Sequence, residues 1–172
     1  MDTCPPAPPP SGDSRSSRAL RHGELICRQR GLKLTSLRRA VLAAIADSPQ
    51  PIGAYRLLAQ LQATTGTKIA PPTIYRTLDF LMRLELIARV ESRNAYLYRG
   101  FPFSLAAPVL FLCERCDGAE IVDDPALRGR LEDSALALGF HVERPMVECV
   151  GTCRRCAEAD PAPIPQGISP DE

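Results

Sequence analysis

Two pairs of cysteines give the clearest indication of chemistry in this sequence. Cys113 and Cys116 form one C-x2-C pair, Cys153 and Cys156 form the other, and 36 residues lie between the pairs. This spacing lets both thiolates of a pair bind one tetrahedral zinc ion, and arginines inside each pair are expected to lower the thiol pKa values. Four cysteines leave no open coordination position, so the sequence predicts one structural, non-catalytic zinc ion per subunit.

The other cysteines and the two histidines are weaker candidates for chemistry. Cys4 lies in a Pro-rich leader, and Cys27 lies on the apolar face of a predicted helix, where packing is the expected role. Cys149 is close to the second pair, so packing in a strand, an extra ligand and a redox partner all stay open. His22 is expected to be solvated or to contact a DNA phosphate, and His141 is expected to open the last strand.

The sequence has no pattern typical of an enzyme or of a membrane protein. It has no Ser-His-Asp set, no glycine-rich phosphate loop and no paired-carboxylate motif, so neither catalysis nor a small-molecule substrate is predicted. No apolar stretch approaches the roughly 18 residues of a membrane span. The first 18 residues also lack the apolar core of a secretion signal. The sequence therefore predicts a cytoplasmic protein.

The two halves of the chain carry opposite net charges. Residues 15–99 contain 15 basic and 5 acidic side chains, whereas residues 100–172 contain 6 basic and 13 acidic ones. The net charge of the whole chain, +1, hides this asymmetry. A basic half followed by an acidic half indicates that the first half meets a polyanion such as nucleic acid.

Apolar spacing predicts how these residues are positioned in the basic half. The pattern indicates helices over 17–31, from the N-cap Thr35 to just before Pro49, over 54–65 and over 73–84, and then strands over 86–90 and 94–98. Four helices followed by a hairpin are typical of a winged helix-turn-helix. The helix over 73–84 is the better candidate for the recognition helix.

The acidic half is predicted to be a small α/β unit that needs metal or a partner subunit. The pattern indicates strands over 109–112 and 119–122, a helix over 125–138 and a strand over 141–150. So small a unit buries too little apolar surface to be stable alone. We therefore expect an α+β protein with five segments: a disordered leader (1–16), a winged-helix domain (17–99), a hinge (100–108), a zinc-stabilised dimerisation domain (109–159) and a disordered tail (160–172).

Several motifs resemble those of a known family. The segments 34–42 (LTSLRRAVL), 54–58 (AYRLL), 70–78 (APPTIYRTL) and 90–96 (VESRNAY), together with both cysteine pairs, are similar to the ferric uptake regulator superfamily. The zinc uptake regulator branch fits best, and the resemblance covers roughly residues 17–159. It implies a homodimeric repressor, linked to zinc homeostasis, that binds an A·T-rich inverted repeat in double-stranded DNA.

The resemblance also implies which residues contact DNA. Positions matching base contacts or their neighbours on the recognition helix are Tyr55, Thr73, Tyr75 and Arg76, and positions near the phosphate backbone are Arg38 and Arg39. The chemistry is suitable, since arginine can pair bidentately with guanine and a tyrosine ring can pack on thymine methyl groups.

The chain departs from the family at the second, regulatory zinc site. Where the branch has His, Cys and acidic ligands, this sequence has Ala88, Arg99 and either Ile121 or Val122, and the hinge has no His or Cys; only Asp123 and Asp124 lie near enough to supply oxygen. Regulatory zinc is therefore not expected. A metal-insensitive regulator, a redox-responsive one, a dimerisation partner of a complete relative and a zinc-stabilised interaction module without DNA all stay open.

Overall fold

The structure, a computed structural model, describes residues 13–100, 108–143 and 145–159. Most of the predicted leader, hinge and tail lies outside these residues. The described helices are α1 (Arg15–Gln29), α2 (Ser36–Asp47), α3 (Ala54–Thr65), α4 (Pro71–Arg83), α5 (Pro125–Ala137) and α6 (Arg154–Ala159). The described strands are β1 (Ile52–Gly53), β2 (Ile87–Val90), β3 (Ala95–Tyr98), β4 (Pro108–Cys113), β5 (Ala119–Asp123) and β6 (Val147–Gly151).

Local signals set the ends of the helices in the basic half. Thr35 caps α2, because its side chain accepts a hydrogen bond from the Arg38 backbone N–H. Gly66, with φ of 65°, ends α3 in the left-handed conformation that glycine tolerates best. Pro71 and Pro72 lie in the first turn of α4, where backbone N–H groups have no helical partner. The sequence-based prediction of these helices is confirmed.

The first core lies between α1–α4 and a small antiparallel sheet of order β1-β3-β2. Helix α1 approaches α2 closely at Gly23, where an added Cβ would lie 2.8 Å from the Leu42 Cδ2 atom. His22, one residue earlier, is only 8% exposed. The expectation of a solvated or phosphate-contacting His22 is wrong, because α1 turns this side chain into the protein instead of toward solvent. Burial accordingly lowers the pKa of His22.

Strands β2 and β3 form the wing, as predicted. Its turn is a short 3-10 helix over Glu91–Arg93, followed by Asn94 in a left-handed conformation with φ of 45°. Strand β1 was not predicted. It has only two residues, and it exists because Ile52 and Gly53 pair with Tyr96 and Ala95 of β3, far away in sequence.

The second sheet has the order β5-β4-β6, with β4 antiparallel to β5 and parallel to β6. The last predicted strand, over 141–150, is wrong in its first part, since β6 begins only at Val147. Pro145 just precedes it and has no N–H to donate to a ladder. His141 is outside the strand and exposed. Helix α6 was not predicted.

The two sheets share a second, smaller core. Ala88, Val90 and Leu97 of the wing pack against Leu110 and Leu112 of β4. The wing is therefore attached to the acidic half through buried apolar contacts. Together these elements confirm the predicted α+β class. None of the helices in the described ranges is long and apolar enough to cross a bilayer.

Candidate zinc centre and nucleic-acid interface

The four predicted zinc ligands come together at one end of the second sheet. Cys113 ends β4, Cys116 lies in the turn that follows, Cys153 comes just after β6, and Cys156 lies in α6. Because β4 and β6 are parallel neighbours, with Cys113 paired to Gly151, both cysteine pairs leave the sheet at the same edge. All four sulfur atoms lie within 4.8 Å of one another.

The spacing of the sulfurs fits tetrahedral zinc. Zinc–thiolate bonds of about 2.3 Å place neighbouring sulfurs of a tetrahedron about 3.8 Å apart. The Cys116 and Cys153 Sγ atoms lie 3.8 Å apart, and no disulfide joins any of the described cysteines. The donor set and its geometry therefore fit a zinc ion held by Cys113, Cys116, Cys153 and Cys156.

Backbone dipoles, and not the neighbouring arginines, favour a thiolate at this centre. Burial alone raises the pKa of the Cys113 thiol, but backbone N–H groups of Cys153, Cys116 and Arg115 outweigh it and bring that pKa to about 6. The N–H of Cys153 donates to the Cys113 Sγ at 3.3 Å. The guanidinium groups are engaged elsewhere: that of Arg115 donates to the Cys156 carbonyl, and that of Arg154 pairs with Glu158.

Two of the other thiols in the cluster, those of Cys116 and Cys156, resist ionisation. The pKa of Cys116 is raised, first by burial, and that of Cys156 is raised strongly by its hydrogen bond to Cys153 and by burial. Four thiolates so close to one another need a cation between them. Zinc would supply that charge and hold the two loops together as one unit.

The exposed face of α4 carries the residues predicted to contact DNA. Thr73, Tyr75 and Arg76 are all exposed, whereas Ile74 and Leu78 of the same helix are buried. Within the part of the chain that the structure describes, no hydrogen bond or ion pair engages the Arg76 guanidinium. Arg76 is therefore available to a ligand.

The other residues predicted to contact DNA differ in whether they already contact other parts of the protein. Tyr55, at the start of α3, is 73% exposed. The Arg38 guanidinium instead lies 3.4 Å from the Phe80 ring centroid and donates to the Lys33 carbonyl at 2.7 Å. Arg39 forms an ion pair with Glu24. Arg38 and Arg39 therefore have structural partners on their own domain.

The positions where the family would hold regulatory zinc do not form a metal site here. Ala88 is buried in β2, and Ile121 packs in the second core. The Arg99 side chain is 10% exposed and pairs with Glu85 at 3.7 Å. Among the described residues, the only cluster able to hold a metal is the set of four cysteines. A second zinc ion therefore does not fit at these described positions.

Three polar residues that sequence reasoning passed over connect the two halves. Arg93 donates to backbone carbonyls near the first cysteine pair, Gln50 donates to the Cys116 carbonyl, and Glu148 accepts from backbone N–H groups of the wing. No local pattern marks these residues, because each partner lies at least 20 positions away in the sequence.

Comparison with known proteins gives consistent matches. The profile of the ferric uptake regulator family matches residues 29–150. The zinc uptake regulation protein of Escherichia coli strain K12 is 31% identical over 153 residues, covering 88% of this chain and 89% of that protein. A zinc uptake regulator solved with zinc and DNA superposes with a TM-score of 0.80 at 29% identity, over 87% of this chain and all of the other.

One further relative has been solved in two states. Holo XcZur superposes with a TM-score of 0.73, over 81% of this chain and 96% of that one. Apo XcZur superposes with a TM-score of 0.50, over 84% and 99%. Both are 37% identical to this chain. Over the whole chain, the fold is thus more similar to the holo structure than to the apo structure.

Proposed function

Because this chain belongs to the ferric uptake regulator family, we propose that it is a DNA-binding repressor that acts as a homodimer on an A·T-rich inverted repeat. Members of this family are transcription regulators and not enzymes. The relatives named above are zinc uptake regulators, and one of them was solved with zinc and DNA. We place this chain in zinc homeostasis on that basis.

The observation that carries the proposal is the unoccupied exposed face of α4. A helix can enter the major groove, and Arg76 offers a bidentate donor to guanine from that face. Tyr55 stands exposed at the start of α3. The segment that contains both residues has an excess of ten positive charges, as binding to phosphate requires.

A zinc ion on the four cysteines would act as a structural element of the second domain. We propose that it holds β4 and β6 together, since their loops contain all four ligands. The boundaries 17–99 and 109–159 remain our proposal for the two domains, with buried contacts of the wing crossing between them.

An exposed apolar surface supports dimerisation through the second domain. Phe111 is 49% exposed and Val122 47% exposed, and the register of β4 and β5 places both on the same face of the sheet. The neighbouring α5 and the turn after it expose Leu136, Leu138 and Phe140. A patch of this kind on a soluble protein favours a partner surface, and a second copy offers a matching one.

The test of the proposed function is selection of duplexes from a random DNA pool by the zinc-loaded protein. We expect an A·T-rich inverted repeat, bound with a steep decrease in affinity as salt rises. Arg76→Ala should weaken binding to this selected sequence by roughly 1–3 kcal/mol per contact and relax base preference at one position of each half-site.

Arg130→Ala is the matched control. Arg130 is an exposed arginine on α5, so its removal changes the charge equally but in the acidic half. It should leave binding to the selected sequence unchanged. Failure to select any sequence, or Arg76→Ala protein that still separates the operator from a scrambled duplex as well as the parent does, would contradict the proposal.

A further inference from the structure

We propose that Arg93, Gln50 and Glu148 form a latch that fixes the DNA-binding domain on the zinc-bearing domain, so that the structural metal site also positions the recognition helix. This inference rests on the proposed function. It assigns to three side chains the role of orienting the DNA-binding domain, because the described residues form no regulatory metal site.

Arg93 forms the central contact of the latch. It lies in the turn of the wing, and its side chain is only 22% exposed. Its guanidinium donates to the Cys113 carbonyl at 2.8 Å and to the Asp117 carbonyl at 3.1 Å, and it lies 3.4 Å from the Asp117 carboxylate. One rigid, planar guanidinium thus donates hydrogen bonds to both ends of the loop over 113–117.

Gln50 holds the same loop from another element. It lies between α2 and β1, and its side-chain amide donates to the Cys116 carbonyl at 2.6 Å in a partly buried position. Two separate parts of the DNA-binding domain therefore bind carbonyl groups of one short loop. Two such contacts restrict rotation between the domains far more than a single contact does.

Glu148 completes the latch from the other side. Its carboxylate, on β6, accepts hydrogen bonds from the backbone N–H groups of Glu91 at 2.6 Å and Ser92 at 3.2 Å. The N–H groups of Glu91 and Ser92 lie at the start of the 3-10 turn that contains Arg93. The turn is therefore held both through these N–H groups and through the Arg93 side chain. Hydrogen bonds from N–H groups to a carboxylate are stronger than those between neutral groups.

The latch depends on the zinc ligands because its acceptors belong to their loop. Cys113 and Cys116 supply two of the three carbonyls, and Asp117 is held with a positive φ of 56°. A bound zinc would fix this loop through the sulfur atoms of the same two cysteines. Without the metal, the loop and its carbonyls are free to move, and their hydrogen bonds with Arg93 and Gln50 are lost.

The described residues around the latch leave no place for the regulatory metal that the family would hold there. Where a hinge metal would bind, Ala88 and Ile121 are core residues and Arg99 is paired to Glu85. Yet the chain as a whole superposes better on holo than on apo XcZur. In this chain, the hydrogen bonds of the latch and the apolar contacts between β2, β3 and β4 join the DNA-binding domain to the zinc-bearing domain. We assign the relative position of the two domains to these contacts.

The experiment compares Arg93→Ala with the parent protein, both zinc-loaded and dimeric. Spin labels on the two domains report their relative orientation as a distribution of distances, and titrations with a full inverted repeat and with a single half-site report DNA binding. We expect Arg93→Ala to keep one zinc per subunit and its dimeric state, to broaden the distance distribution, and to lose about tenfold in affinity for the full repeat. Half-site affinity should stay constant, because a single domain reads a half-site.

Arg89→Ala is the matched control, because Arg89 is a wing arginine whose partners, Glu91 and Asn94, lie within the wing itself. It should leave the distances unchanged. Arg93→Lys should recover part of the loss, since an ammonium group can still donate to one carbonyl. An unchanged distance distribution, or equal losses on half-site and full repeat, would overturn the latch. Broadened distances in a protein that selects no DNA would support the latch and reject the proposed function.

Discussion

At the scale of single residues, identical side-chain types have different roles according to what surrounds them. Arg76 is unengaged on α4, Arg38 packs on Phe80, and Arg93 reaches into the second domain. The sequence distinguishes Arg76 and Arg38 only through the family resemblance, and nothing in it indicates the contact of Arg38 with Phe80 or that of Arg93 with the second domain. The cysteines are the opposite case, since their spacing alone indicates the metal site that the geometry supports.

The first prediction concerns the metal ligands. Cys113→Ser should lose the zinc and unfold the second domain, because structural zinc contributes about 10–16 kcal/mol in small zinc-dependent peptides. Cys149→Ser is the control, since its sulfur is outside the four-cysteine cluster. Metal content and urea unfolding measure both variants. A metal-free Cys113→Ser protein that stays folded and dimeric would contradict this assignment.

The second prediction concerns Arg38. Its removal should cost about 0.5–1 kcal/mol of folding free energy, because the cation–π contact with Phe80 is lost. If Arg38 also contacts phosphate, as the family resemblance implies, Arg38→Ala should weaken specific and non-specific DNA binding alike and flatten the salt dependence. Thermal unfolding measures the first effect, and DNA titrations at several salt concentrations measure the second.

At the scale of helices and strands, a prediction from the sequence agrees with the structure where the contacts that stabilise the element are local in the sequence. Helix α3 has the predicted bounds, because apolar spacing and Gly66 both act within the helix. Strand β1 could not be predicted, because its two residues are a strand only through β3. His22 was misjudged for the same reason: its burial depends on where α1 packs, which its neighbours in sequence do not indicate.

Two helical glycines give the third prediction, with opposite signs. Gly23→Ala should destabilise the protein by about 1–3 kcal/mol, because its Cβ would meet the Cδ2 atom of Leu42, which is fully buried. Gly129→Ala on α5 meets no atom within 4 Å. It should stabilise the protein by about 0.5–1 kcal/mol, since alanine favours helix. Thermal unfolding of both variants checks the difference, and equal shifts would refute the close approach of α1 and α2.

The fourth prediction tests the sheet surface that we assign to dimerisation. Phe111→Asp should give a monomer, because a charge would be buried between the two copies. Leu32→Asp changes a residue of similar exposure, 45%, in the first domain and should remain dimeric. Light scattering at several concentrations distinguishes the two states. A dimeric Phe111→Asp protein would place the interface elsewhere.

At the scale of the whole molecule, we assign separate roles to the basic half and the acidic half, which a shared core joins. Charge asymmetry in the sequence already indicated this division. The sequence could not show that wing residues pack on β4, nor that the wing turn contacts the metal loop, because both depend on docking of the domains.

The fifth prediction follows from the finding that the described residues offer no metal cluster besides the four cysteines. Zinc added to protein that already holds its structural ion should find no second tight site, and operator affinity should change by less than about tenfold. Isothermal titration and DNA binding at buffered zinc concentrations measure this. A second tight zinc coupled to a larger gain in affinity would show that ligands outside the described residues complete a sensor.

The parallel pairing of β4 with β6 has a consequence for synthesis of the chain. Cys116 emerges from the ribosome 37 residues before Cys153, and all of α1–α4 precede both pairs. Domains near the N-terminus fold first during translation. A newborn chain would therefore complete its predicted DNA-binding helices before its metal site can close, and under the proposed latch, capture of zinc at the end of synthesis would help fix the orientation of those helices.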